Sequence, residues 1–366
     1  MLLRFALPLV LIAAQVPAQG LVVPAFVAPT RAPAASTADE MSAIRRAVAL
    51  YDQGKFDAAI AIYEPLLAAS PDNATVMYEL AMSYVATKNY QRAIDIAARG
   101  TTYQVPLPVL AQFYGLIGNS MDDAREPKRA IEVYQKGLEF APTAGLYYNM
   151  GLTYAQSLTD VPNAKAALKN GARLDPSHAS TQLMLGRLFL MDDLKVASFF
   201  ALSRFLILEP ATPRTGDAYQ MWFRLLNGGV TVSAADNQTH ITINQNQPKD
   251  EGDLAKLDLH LSLSKAVSMN SPGERTPVQR IVDQLSQLFS LYGGLDPGDD
   301  KGTFVWTYYM PFMVEMQKKN FVEPFVYYVS QRTDLVGVRE WLAVNRERVL
   351  AFLEWAKAYP FPKPAR

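Results

Sequence analysis

Few side chains of this chain are suited to acid–base or metal chemistry, and their spacing favours neither. The 366 residues include no cysteine and three histidines, His178, His240 and His260. The lack of cysteine excludes disulfides, thiolate metal sites and cysteine nucleophiles. His240 and His260 lie twenty residues apart and can meet in the fold, but a zinc ion needs at least a third protein ligand. We therefore predict no metal, no cofactor and no catalytic residue, and we expect His178 to cap a helix or lie at the surface.

Two short motifs resemble known sites and depart from them. Gly118-Asn119-Ser120-Met121-Asp122 resembles a nucleophile elbow, but it lacks the second glycine and lies in a predicted helix. Residues 296–302 are acidic, yet they lack alternating calcium ligands, and Thr307 stands where a distal glutamate is needed. We explain the first motif by packing and the second by a solvated turn.

An aromatic cluster near the C-terminus allows two interpretations. Trp306, Tyr308, Tyr309 and Phe312 precede Lys318-Lys319. Such a cluster can form a platform for glycans, but aromatic residues at helical spacing more often pack in a core. We favour the core, and the platform stays open as the basis of an alternative function.

Composition bounds the class of protein and its partners. The chain is 49% hydrophobic and 19% charged, and its length suffices for two compact units. Lys+Arg and Asp+Glu are both 35, so no net charge attracts the whole chain to nucleic acid or to an anionic membrane. A nucleic-acid partner is therefore not expected.

The N-terminal residues have the pattern of a cleaved signal peptide. In residues 1–18, Arg4 precedes an apolar run, and a small-residue site follows at Val16-Pro17-Ala18. Residues 19–38 are rich in alanine and proline and predict a flexible leader. We expect export to the periplasm or the cell exterior, with no integral membrane segment after cleavage.

The secondary-structure elements that would position these residues repeat about every 34 residues over residues 39–212. Pro142, Pro176 and Pro210 are each 34 residues apart, and Pro71 lies 71 residues before Pro142. Apolar spacing predicts two amphipathic helices in each repeat. Small residues stand where the two helices would cross, and a larger side chain there would separate them. These pairs are Ala47 and Ala59, Ala81 and Ala93, Gly118 and Ala130, and Gly151 and Ala164.

These residues resemble the tetratricopeptide repeat family. The resemblance is carried by Gly54-Lys-Phe-Asp-Ala-Ala-Ile60, Asn89-Tyr90, Ala130-Ile131 and Gly151 with Tyr154. It assigns five repeats, at about 40–73, 74–107, 111–144, 145–178 and 179–212. It implies a superhelix whose inner groove, lined by the first helix of each repeat, receives a peptide or another protein.

The same resemblance implies which side chains face that groove. The candidate peptide-binding residues are Arg45, Tyr78, Met82, Asn119, Tyr148, Asn149, Leu183 and Arg187. The lysine and asparagine clamp that one subclass uses for C-terminal carboxylates is not matched, because Ile44 stands where its first lysine is needed. A clamp of that kind is therefore not expected.

The remaining sequence predicts a connector and a second helical region. Residues 213–270 contain a short helix at about 215–226 and a β-hairpin from Val230–Ser233 and His240–Asn244. Residues 254–266 fit both a strand and a helix, and we favour a helix. Residues 271–366 predict a C-terminal helical domain that begins at the Thr276-Pro277 cap. Its later helices are expected at about 303–319, 322–331, 335–343 and 346–358.

The sequence thus predicts an all-α fold, with tetratricopeptide repeats followed by a small hairpin and a helical domain. The favoured function is that of an exported, non-enzymatic adaptor that binds protein or peptide partners. One alternative places an enzyme or glycan-binding module in the C-terminal region, with the repeats as its tether. Another is a self-associating scaffold, because incomplete end repeats leave apolar faces.

Overall fold

The computed structural model describes residues 20–228, 230–232, 239–241, 244, 246–269 and 274–363. The predicted signal peptide lies outside these residues and stays a prediction. The chain divides into two compact units. Unit 1 comprises Met1–Pro106 and Leu116–Glu126, and unit 2 comprises Leu107–Gly115 and Pro127–Arg366.

Unit 1 is built from antiparallel helices. They are α1 (Ala38–Asp52), α2 (Phe56–Ala69), α3 (Ala74–Ala86), α4 (Tyr90–Gly100) and the second half of α5 (Leu107–Asp123). The start of α1 is fixed by a capping box, in which Thr37 and Glu40 satisfy each other's backbone N–H groups. Asn73 accepts a hydrogen bond from the Val76 N–H and caps α3.

Unit 2 holds the remaining helices and one β-hairpin. The repeat helices are α6 (Pro127–Phe140), α7 (Ala144–Leu152), α8 (Val161–Leu174), α9 (Ala179–Met191) and α10 (Lys195–Leu208). They are followed by α11 (Thr215–Asn227), β1 (Val230–Val232), β2 (Thr239–Ile241), α12 (Ala255–Met269), α13 (Pro277–Tyr292), α14 (Met310–Lys318), α15 (Val322–Val329), α16 (Val338–Val344) and α17 (Arg346–Ala358). The prediction of an all-α fold is confirmed. The antiparallel strands pair Thr231 with His240, and residues 254–266 belong to a helix.

Each predicted repeat contains two helices joined by a short turn, and the fourth turn, after the π-helix Thr153–Ser157, is one residue wider than the others. One residue of each turn has a positive φ, and these residues are Gly54, Lys88, Arg125, Thr159 and Asp193. They are spaced by 34, 37, 34 and 34 residues, so the backbone repeats at the period predicted from the sequence. The longer step contains Val105-Pro106-Leu107-Pro108, the connection from α4 to α5.

The turn is held by a backbone hydrogen bond that compensates for its conformation. In the first two turns the N–H groups of Lys55 and Asn89 donate to Leu50 O at 2.9 Å and Tyr84 O at 2.8 Å. A non-glycine residue in the left-handed region costs about 1–2 kcal/mol, which this bond helps to offset. The same bond joins Phe321 to Met316 O at 2.9 Å beside Asn320, whose φ is 58°. Helices α14 and α15 are therefore joined by the same kind of turn as the repeat helices, although their sequence does not show the 34-residue repeat.

Close helix crossings depend on the predicted small residues. Ala47, Ala59, Ala81, Ala93, Ala130 and Ala164 have no exposed surface. A Cβ atom at Gly151 would lie 2.8 Å from Leu168 Cγ, closer than two carbon atoms can approach without displacement. The same Cβ atom would lie 3.4 Å from Ala164 O, so the packing explanation is confirmed for the pair of Gly151 and Ala164.

The segment predicted as a flexible leader is ordered against unit 1. The N–H of Leu21 donates to Glu126 Oε1 at 2.9 Å, and Gln91 exchanges two hydrogen bonds with the Val22 backbone. Arg31 pairs with Asp72 at 2.6 Å, and its guanidinium lies 4.6 Å from the centre of the Tyr103 ring. The expectation of flexibility was wrong because a sequence rich in proline can also dock as an extended strand when polar groups receive its backbone.

The core of unit 2 is organised around α10. Every residue from Val196 to Ile207 is buried. The second helix of a repeat at the surface of an array would instead leave one face exposed to solvent. Phe199 stacks on Trp222 at 5.4 Å, and Phe200 contacts Phe289, Tyr292 and Tyr309. The C-terminal helices thus share one hydrophobic core with α8, α9 and α10.

Candidate functional site

The first-helix face of unit 1 carries four of the predicted binding residues. Arg45 on α1 and Asn119 on α5 are exposed, whereas Tyr78 and Met82 on α3 are half-buried. A helix presents residues three or four positions apart on one side, so Tyr78 and Met82 stand one turn apart on the same face. Partial burial lowers the entropic cost of ordering such side chains on binding.

An acidic patch lies beside Tyr78. We call Tyr51, Asp52, Tyr63, Tyr78 and Glu79 the Glu79 patch. Burial raises the pKa of the Glu79 carboxyl, and the charge of Asp52 raises it further. Burial and Glu79 likewise raise the pKa of Tyr78. The sequence contains the dipeptides Tyr51-Asp52 and Tyr78-Glu79, but the first ends α1 and the second lies near the start of α3, so only the fold brings them together.

The Tyr63 hydroxyl completes this patch. Tyr63 has no exposed surface, and its hydroxyl has no hydrogen-bond partner among the described residues. Burial raises the pKa of Tyr63, and the charges of Glu79 and Asp52 raise it further, so the phenol stays protonated. Two carboxylates beside a buried phenol favour a cation or a hydrogen-bond donor at this point.

In unit 2 the predicted residues have three different surroundings. The ring of Tyr148 lies 5.5 Å from that of His178, and Asn149 is half-buried near Gly115. Arg187 is exposed and precedes Leu190 and Met191, which are 36% and 72% exposed. Leu183 is 4% exposed within the hydrophobic core and offers no surface to a ligand. Its assignment to the groove is corrected, because α9 packs on α10 along that side.

Polar residues outside the predicted set also organise unit 2. Lys165 is 2% exposed at its side chain and pairs with Asp192 at 2.5 Å and Asp250 at 2.7 Å. Burial lowers the pKa of Lys165, but the hydrogen bonds to the two carboxylates outweigh it and the pKa is raised. Lys169 pairs with the fully buried Glu251. Segment 246–253 is therefore bound to α8 by its acidic side chains.

The candidates for chemistry do not converge. Nδ1 of His178 accepts a hydrogen bond from the Thr181 N–H at 3.3 Å, so His178 caps α9 as predicted. His240 is exposed on β2, whereas His260 lies on α12 with its ring 6.3 Å from that of Tyr292. Within the described ranges, no three His, Asp or Glu side chains are grouped closely enough to hold a metal ion.

The aromatic cluster is part of the core. Tyr308, Tyr309 and Phe312 have no exposed surface. The Tyr308 hydroxyl donates to Ala172 O at 2.9 Å, and the Tyr309 hydroxyl donates to Gln182 Oε1 at 2.7 Å. A glycan platform needs exposed ring faces, and these three rings are buried. The platform interpretation is therefore wrong for Tyr308, Tyr309 and Phe312. The two tyrosine hydroxyls bind α8 and α9 instead.

Comparisons with known proteins match one part of the chain to a repeat family. Residues 44–106 match the tetratricopeptide repeat family model. No curated protein matches the chain by sequence. The chain is similar to the solved structure of a thermophilic tetratricopeptide repeat protein of Thermus thermophilus, with 22% identity over 51% of this chain and 98% of that one and a TM-score of 0.38. It is also similar to PilW, a type IV pilus biogenesis factor, with 15% identity over 52% and 92% of the two chains and a TM-score of 0.40.

A third similar structure is that of YrrB, described as a tetratricopeptide repeat protein with an unusual peptide-binding site. Its identity is 18% over 49% of this chain and 90% of that one, and the TM-score is 0.33.

Residues 44–106 therefore match the tetratricopeptide repeat, a repeat built from helices. The matched residues run from α1 to the end of the second helix pair. The described helices include none with the length and apolarity needed to cross a bilayer.

Proposed function

We propose that this protein is an exported, non-enzymatic adaptor that binds a peptide or protein partner on the first-helix face of its repeats. The partner's anchor is a lysine or arginine side chain bound at the Glu79 patch. The observation that carries the proposal is the juxtaposition of the Glu79 and Asp52 carboxylates beside Tyr78.

Glu79 and Asp52 place two like charges together, and Glu79 is partly removed from water. The raised pKa of Glu79 means that its ionised form is less stable here than in water. A bound ammonium or guanidinium group stabilises that ionised form and removes the repulsion from Asp52. The rings of Tyr51 and Tyr78 add a cation–π surface of about 0.5–2 kcal/mol.

Unit 2 carries a second candidate binding surface on one of its own first helices. Arg187, Leu190 and Met191 on α9 combine one exposed charge with two exposed apolar side chains. Flexible methionine side chains adapt to different partners. Export rests on the signal pattern of residues 1–18.

Crosslinking and recovery of partners from the native host tests this function. The mature chain is compared with Glu79→Gln and with a triple variant in which Tyr148, Asn149 and Arg187 are alanine. We expect partners to be recovered with the mature chain and lost with both variants. Asp57→Asn is the matched control, because Asp57 is an exposed carboxylate on a second helix, α2. Recovery that is unchanged in Glu79→Gln and in the triple variant would place partner binding elsewhere.

The affinity for a cationic peptide should rise with pH. Below the raised pKa of Glu79 its carboxyl is protonated and offers no charge to the ligand, and above that pKa the ion pair forms. Fluorescence anisotropy with a labelled lysine-containing peptide from a recovered partner measures this dependence. Glu79→Gln should bind more weakly and lose the dependence, whereas an identical pH profile in both proteins would exclude Glu79 as the anchor.

A further inference from the structure

A cavity of about 700 Å³ in unit 2 is lined by Arg204, a cation to which the described residues supply no counterion. Its walls are the end of α8 with the turn after it, the end of α10, and α17 with the segment that follows it. A volume of this size suits a small ligand or the end of a peptide. None of the residues proposed above to bind a partner lines this cavity.

Arg204 forms part of this wall and is 2% exposed. Nη2 donates to Pro176 O at 3.4 Å, whereas Nε and Nη1 have no hydrogen-bond partner among the described residues. The guanidinium carbon lies 4.6 Å from the ring centres of both Phe312 and Phe361. The two rings stabilise the cation through its faces, but they supply no acceptor for its N–H groups.

Burial lowers the pKa of Arg204 to about 10, so the side chain is still charged at neutral pH. A buried charge is normally paired, because an unpaired one loses its hydration without compensation. The described part of the chain places no carboxylate within ion-pair distance of Arg204, and its nearest polar groups belong to a carbonyl and to tyrosines. The missing partner is therefore an anion.

The other charged residues that line the cavity also favour an anion. Arg173, Lys357 and Lys363 line the cavity with Arg204, and Asp175 is the one carboxylate among the lining residues. Asp175 already accepts hydrogen bonds from the Ser177 N–H at 2.9 Å and from its hydroxyl at 2.6 Å. Ile207, Leu208 and Leu353 supply an apolar surface between these charges.

We propose that this cavity binds a carboxylate attached to an apolar body. The carboxylate pairs with Arg204, and the apolar body lies against the leucine and isoleucine side chains. A planar guanidinium favours a carboxylate because it can donate two hydrogen bonds to it. The ligand is either a small organic acid or the C-terminal carboxylate of a peptide.

Calorimetric titration of the full chain with 4-phenylbutyrate and with its neutral amide tests the charge requirement. The two probes have the same apolar body and differ in charge. We expect the carboxylate to bind at least about tenfold more tightly, as a charge-assisted hydrogen bond requires. Equal affinities, or no binding of 4-phenylbutyrate, would overturn the proposal.

Substitution of Arg204 tests the residue. Arg204→Met should fold, because an apolar side chain replaces an unpaired buried charge, and it should bind 4-phenylbutyrate at least about tenfold more weakly. Arg339→Met, which removes an exposed arginine from α16, should bind like the wild-type chain. A folded Arg204→Met protein with unchanged affinity would refute the assignment. If that variant does not fold, the acid–amide comparison on the wild-type chain decides.

A tripeptide, Ala-Leu-Phe, distinguishes the two sources of the carboxylate. It is titrated with a free and with an amidated C-terminus. Tighter binding of the free tripeptide than of 4-phenylbutyrate assigns the cavity to peptide ends, and the reverse order assigns it to small acids. Glu79→Gln should leave all these affinities unchanged, so this site and the proposed groove succeed or fail separately.

Discussion

At the scale of single residues, Gly151 shows how the repeat pattern becomes packing. Its α-carbon approaches α8 so closely that a methyl group would overlap the buried side chain of Leu168. Gly151→Ala should therefore lower the free energy of unfolding by about 1–3 kcal/mol, the usual cost of overpacking. Chemical denaturation monitored by circular dichroism measures the change.

Gly216→Ala is the matched control for this substitution. Gly216 lies in α11, and a Cβ atom there would meet no neighbour within 4 Å. Because alanine favours the helix over glycine by up to about 1 kcal/mol, this variant should be as stable as the wild-type protein or slightly more stable. If Gly151→Ala were equally harmless, the close crossing of α7 and α8 would not depend on the glycine.

Residue types alone indicated the close helix crossings, but they did not indicate which charged side chains are buried. A small residue at a regular interval has one structural explanation, so Gly151 and Ala164 were assignable from the sequence. Arg204 and Lys165 are ordinary helix residues in the sequence, and nothing local distinguishes them from solvated cations. Their burial depends on α17 and on segment 246–253, which reach them only in the folded chain.

At the scale of elements, segment 246–253 behaves as a strap rather than a loop. Asp250 pairs with Lys165, Glu251 pairs with Lys169, and Gln247 donates to Asp193 O at 2.8 Å and to Asp258 at 2.5 Å. Asp258 in turn accepts from the Lys195 and Val196 N–H groups at 3.3 and 2.8 Å and caps α10. The strap thus connects α8, the start of α10 and α12.

Lys165→Met tests this description of the strap. The substitution leaves Asp192 and Asp250 without their buried cation, and their repulsion should detach segment 246–253 from α8. Hydrogen exchange measured by mass spectrometry should show faster exchange in that segment, by about tenfold or more, while α3 is unaffected.

Lys136→Met is the control for the strap. Lys136 pairs with Glu139 at 2.5 Å, but both side chains are exposed, so the pair contributes at most about 1 kcal/mol. Exchange in segment 246–253 should be unchanged in this variant. Unchanged exchange in Lys165→Met as well would mean that backbone contacts, not the ion pairs, hold the strap.

The boundaries of most helices were predictable, and the reasons are local. Thr276 with Pro277 and Gln279 forms the capping box that the sequence indicated for α13. The π-helical turns at Thr153–Ser157 and Val305–Tyr309 were not predictable, because no residue pattern distinguishes them from α-helix. The ordered leader was missed for a related reason, since its partners Gln91 and Glu126 are distant in the sequence.

At the scale of the whole chain, the repeat helices of unit 2 do not form a separable array. Phe199, Phe200, Phe205 and Leu206 on α10 have no exposed surface, and residues after 212 cover much of them. Each such side chain contributes about 1.5–3 kcal/mol when buried, so exposing several costs about as much as a typical total stability of about 5–15 kcal/mol.

A chain of residues 20–212 should therefore fail to fold as a monomer. We expect size-exclusion chromatography with light scattering to show oligomers or aggregates, because the uncovered faces of α10 associate. The matched chain of residues 20–363 keeps α11 to α17 and should be no more associated than the full-length protein. A monomeric 20–212 chain with a cooperative thermal transition would instead show that the repeats are complete without the C-terminal helices. That outcome would mean that α11 to α17 form a separate domain, whose function would have to be tested independently of the repeats.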